Sequence, residues 1–125
     1  YTYGIGSAVI SQLHSGTFFI ASEIGKQVVD DAVKEIYLEM ERLSIDNVPA
    51  AELDLVRNYM LGALQRSIDG PFSKADSYKS LILWGLGTDF FGKYVEEIKT
   101  ITPETIKSLT IKYLDPKSMT EVIAG

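Results

Sequence analysis

The 125-residue chain has no cysteine, a single histidine and only four prolines. Without cysteine it can form neither disulfides nor thiolate metal sites, and its redox compartment stays open. One histidine cannot spell H-E-x-x-H or the inverse H-x-x-E-H. Gly4-Ile5-Gly6 lacks a third glycine and opens no helix, and there is no G-K-[ST], so no phosphate-cradling loop is expected. The twelve lysines and arginines are scattered and the formal net charge is −5, which leaves no basic footprint for nucleic acid or an anionic membrane. Charge is also missing locally. From Tyr1 to Ser22 the only ionisable side chain apart from tyrosine is His14, and the first acid is Glu23. Ser11, Gln12, His14, Ser15 and Gly16 interrupt that stretch and no basic residues precede it, which argues against a signal peptide or a membrane span.

What fills the stretch is Tyr, Thr, Ile, Val and Phe, the types suited to a pleated, half-buried surface. It reads as two antiparallel strands joined by a loop at Gln12–Gly16. Tyr1, Tyr3, Ile5, Ser7 and Val9 point one way, and the small Thr2, Gly4, Gly6 and Ala8 the other. A two-stranded ribbon is marginal in water, so the helices beyond it must cover it and its open edges call for more strands.

Beyond Glu23 the pattern becomes helical. A helix is predicted from about Gly25 to Leu43, with Val28, Val29, Ala32, Val33, Ile36, Tyr37, Met40 and Leu43 on one stripe. Asp30 and Lys34 on its polar face form an i, i+4 pair. A second helix starts with Pro49 in its first turn and runs to about Asp69. A third, about Phe72 to Leu86, is the most apolar, is expected to be buried on more than one side, and carries Trp84 as a core anchor. Asp89 is a candidate cap for Phe90–Lys99. Thr102-Pro103-Glu104 starts a last helix that Asp115-Pro116 closes. Ser118–Ala124 alternates as a final strand. Strands segregated from helices make this an α+β fold, one domain over residues 1–125: an antiparallel sheet of hairpin plus C-terminal strand, packed on one face by about five helices. The chain opens inside one strand-like pattern and closes on another, as though excised from something longer.

Candidate chemistry is sparse. His14 has no acid nearby and no helical partner, so it reads as a polar loop residue and not as a zinc ligand or triad member. The seventeen acids are spaced as on helix surfaces, and neighbours such as Asp30-Asp31 and Glu96-Glu97 diverge. The chain alone has no catalytic or metal-binding residue to nominate.

Five segments in order, YTYGIGS, GTFFIAS, EMERL with AAELDLVRNYMLGALQRS, VEEIKTITPETIKSLTIKYLDP and EVIAG, resemble peptidase family M16, the pitrilysin or insulinase-type zinc metallopeptidases. The resemblance covers nearly the whole chain and implies the second half of a metallohydrolase-like domain. It is similar to the bacterial, catalytically inactive domain, which lies beside an H-x-x-E-H domain that carries the zinc. It implies a substrate-binding role for Tyr3, whose hydroxyl would hold peptide carbonyls and the developing oxyanion, helped in family members by an arginine that would precede residue 1. The implied partners are a catalytic half, on the same chain or a separate subunit, and a peptide substrate. No cofactor is expected in this chain, the zinc belonging to the partner. The alternative is an architectural subunit of the same fold, of processing-peptidase or respiratory-complex type, without peptide turnover. A more distant alternative is an unrelated helical interaction domain. The exposed strand edges also leave room for a homodimer. Bacterial periplasm and cytoplasm both remain open as locations.

Overall fold

The computed structural model of the chain describes residues 2–125, with side chains from Gly4 onward. A long antiparallel hairpin comes first, β1 (Thr2–Gln12) and β2 (Ser15–Ile24). The turn is tighter than predicted, because Ser15 and Gly16 already pair with Gln12 and Ser11, leaving Leu13-His14 as a two-residue connection. The Ser15 hydroxyl bonds the Gln12 side chain across it, at 2.9 Å. Along β2 the two faces alternate: Phe18, Ile20, Ser22 and Ile24 are half-buried, while Thr17, Phe19, Ala21 and Glu23 are exposed.

A 3-10 turn at Lys26–Val28 leads into α1 (Val29–Ile45). Every residue of the predicted apolar stripe, from Val28 to Leu43, is half-buried or buried, and the polar residues opposite are exposed. Helices α2 (Ala50–Ser67), α3 (Pro71–Leu83), α4 (Phe90–Thr100) and α5 (Pro103–Tyr113) follow. Pro49 stands just outside α2 in extended conformation and not inside its first turn. α3 ends with a reciprocal pair of backbone bonds: Gly85 N–H donates to the Ile82 carbonyl and Leu86 N–H to that of Leu81. Gly85 takes φ +65° there, a left-handed conformation open to glycine at no steric cost. The Thr102 hydroxyl accepts the Thr105 amide, the predicted cap of α5.

The helices pack as two pairs, α1 with α5 and α2 with α4. Lys107 Nζ donates to the Ile45 carbonyl at 2.6 Å, and Asn47 Nδ2 to Glu104 at 2.9 Å, joining the end of α1 to α5. Arg57 joins α2 to α4: its guanidinium donates to the Ile98 carbonyl at 3.2 Å, to the Ile101 carbonyl, and to Asp54 at 2.7 Å. Carbonyls in the last turn of a helix have no partner within it, and a cation there also answers the helix dipole.

Three expectations are corrected. α3 belongs to neither packed pair, so its apolar run stays in solvent: Leu81 is buried, but Tyr78, Ile82, Leu83 and Trp84 are exposed. Trp84 is therefore no core anchor. Asp30 and Lys34 form no ion pair among the described residues. Ser118–Ala124 forms no strand either. Ser118 ends a 3-10 turn capped by Asp115, and the residues after it pair with neither β1 nor β2, so the sheet among the described residues has two strands. Alternation supplies a strand's faces but not its neighbour, and a strand forms only where its backbone groups meet one. Met40, Leu53, Leu81 and Ile98 are the buried apolar side chains among the described residues, a thin core for this length.

Candidate functional site

Tyr3, the one predicted site residue, lies on β1, where the register slips: Thr2 faces Ile24 and Gly4 faces Glu23, so β1 holds one residue more than its partner there. The Tyr3 side chain lies outside the described residues. On the other strand the Ser22 hydroxyl donates to the Gly4 carbonyl at 2.8 Å, bracing the ribbon next to this slip.

One face of the hairpin looks onto α1 across an open apolar groove of about 740 Å³. Ile5, Phe18 and Ile20 line it from the strands and Ile36, Met40 and Leu43 from the helix. Asp31, Glu35 and Glu39, one helical turn apart on α1, run along it. A second hollow, about 820 Å³, lies between α1 and α5, bounded by Tyr37, Leu38, Ile111 and Lys112. Met40 and Leu114 line both and stand between them.

All seventeen acids are exposed, as is His14 at the hairpin turn. No three of His, Cys, Asp and Glu converge among the described residues. A hydrogen bond to Glu121, partial burial and that carboxylate's charge raise the Tyr37 phenol above its ordinary value, moving it further from ionisation at neutral pH. Lys93, 2.5 Å away, holds the Asp89 carboxyl below its usual range. Asp89 thus spends its side chain on Lys93 and makes no cap bond to α4. Glu104 is lowered by its own backbone amide, then by Thr102 and Asn47.

Sequence reasoning missed Arg57 and the partition formed by Met40 and Leu114. Arg57 sits three residues after Asp54, a spacing shared with any solvated helix face, and its carbonyl partners lie over forty positions away. Met40 was legible as a stripe residue, but not as a wall with a hollow on either side. No protein-family model matches the chain, and no curated protein matches it in sequence comparison.

Proposed function

We propose that the chain is a non-catalytic, peptide-binding half-domain of a zinc metallopeptidase of the pitrilysin or insulinase type, working with a separate H-x-x-E-H half that holds the metal. Its reading rests on the ordered motifs from YTYGIGS to EVIAG. The observation that carries it is the position of the first motif: from Thr2 to Ser7 it runs along an uncharged strand, and the register slip falls at Tyr3. Slips of this type recur beside active sites, where they break the regular alternation of a strand.

In this reading Tyr3 supplies a neutral phenol to the peptide carbonyl under attack in the partner's site, a donor that acts without ionising near neutral pH. The groove and the outer edge of β2 are where the rest of the sheet docks. EVIAG joins that sheet once further strands are present, which accounts for Val122 and Ile123 standing exposed in this chain.

The test combines the chain with an H-x-x-E-H catalytic half of the same family and follows cleavage of a quenched fluorescent peptide. Tyr3→Phe should lower kcat/KM by about a hundredfold, the scale of losing one oxyanion donor, with helical circular dichroism unchanged. Turnover equal to that of the unaltered chain would remove Tyr3 from the site. Failure of the two halves to associate would leave the architectural reading in its place.

A further inference from the structure

Among the described residues, the outer edge of β1 has no partner. Gln12 and Ser15 close the two-residue turn, and in such a hairpin the closing pair exchanges both backbone bonds, with every second pair doing the same. Gly4, Gly6, Ala8 and Ile10 therefore spend their amides and carbonyls on β2. Ile5, Ser7, Val9 and Ser11 turn theirs outward. From Gly4 to Gln12 all of β1 is exposed, Ile5 at 61%, Val9 at 67% and Ile10 at 51%. Beyond the register slip at its start, the strand lacks the other features that keep an edge from pairing: it has no charge and no proline, and it is 11 residues long.

The molecule also carries too much surface for a lone domain. It exposes 9,990 Å², where a folded monomer of this length exposes about 6,600 Å². The excess, roughly 3,400 Å², is more than the roughly 1,000–2,500 Å² that each protomer contributes to an obligate homodimer, so a second copy on β1 covers part of it and the groove and α3 hold the rest. Charge points to the occupant. At a net charge of −5, two copies repel unless they meet through an uncharged surface, and the hairpin is the long uncharged stretch of this sequence.

We propose that two copies of the chain join along β1, antiparallel across a two-fold axis near Ser7, into a four-stranded sheet ordered β2-β1-β1-β2. Centred on Ser7, the midpoint of Thr2–Gln12, the pairing sets Ile5 against Val9 of the second copy and Val9 against its Ile5. These are apolar cross-strand pairs made twice by symmetry. Four strands also bring the ribbon past the size at which a sheet holds by itself. β2 is the poorer edge, because it carries Glu23 and runs directly into the turn before α1.

Light scattering on the eluting 125-residue chain across the micromolar range should show a dimer. Val9→Lys places two like charges on the shared edge and should weaken dimerisation about tenfold or more. Phe72→Lys, which removes an apolar residue 84% exposed on α3, should leave the dimer intact. Amide exchange gives a second readout on the unaltered chain: protection of Ile5, Ser7, Val9 and Ser11 should rise with concentration, while Gly6, Ala8 and Ile10 change less. A monomer at all concentrations would overturn the proposal, as would a dimer that tolerates Val9→Lys but dissociates with Phe72→Lys. Edge amides protected only after a catalytic peptidase half is added would assign β1 to that partner instead. If Val9→Lys loses its helical circular dichroism, the concentration dependence of the amides decides.

Discussion

Arg57 shows how little holds some of these elements together. Its side chain is 24% exposed, and it gives two donors to carbonyls near the end of α4 and one to Asp54. Methionine would keep much of the aliphatic stem and lose all three bonds, leaving the Ile98 and Ile101 carbonyls without this donor. Bonds from charged groups contribute about 1.5–3 kcal/mol each at most, and the carbonyls regain some solvent. Arg57→Met should therefore cost about 2 kcal/mol, read as a lower urea midpoint with the slope unchanged. An unchanged midpoint would mean that α2 and α4 hold by apolar packing alone.

At the scale of elements, α5 shows how far local sequence reaches. Thr102, Pro103 and Glu104 were legible as a start signal, and the structure uses each of them: a hydroxyl cap, a proline in the first turn and an acid near the amide end. α1 was equally legible because a 3.6-residue stripe meets a real partner, α5. α3 was misread for the converse reason. Leu81-Ile82-Leu83-Trp84 declares apolarity, but burial needs a second surface, and the one that covers Leu81 leaves Ile82, Leu83 and Trp84 exposed. The C-terminal segment fails likewise, since alternation describes one strand while pairing requires another. The sequence placed Tyr3 on β1, as the structure does; the groove arises from hairpin and helix together and is written in neither. The start of α5 also carries a pH dependence. Because the Glu104 carboxyl is lowered in the folded state, its contribution is fully present above the unfolded value, about 4.3. It is lost as pH falls through the lower folded value. Melting temperature should therefore fall on acidification more steeply in the unaltered chain than in Glu104→Gln, the two curves converging at the acid end. Parallel curves would show that the interactions around Glu104 contribute nothing measurable.

For the whole molecule, the extra surface sets how sharply it unfolds. An unfolded chain of this length exposes about 19,900 Å², so a monomer at 9,990 Å² gains about three-quarters of the area an ordinary domain of its size would gain. The urea slope scales with that area. It should lie near three-quarters of the usual value in dilute solution and rise where chains associate. A full slope at every concentration would mean that the groove and the bare face of α3 are closed in solution.

The bonds between α1 and α5 set an order of events on the ribosome. Ile45 and Lys107 are 62 positions apart, and at about 5–20 residues per second the nascent chain holds α1 for about 3–12 s before its partner helix emerges. Throughout that interval the stripe from Val28 to Leu43 has only the ribbon behind it, an interval long enough for chaperone capture.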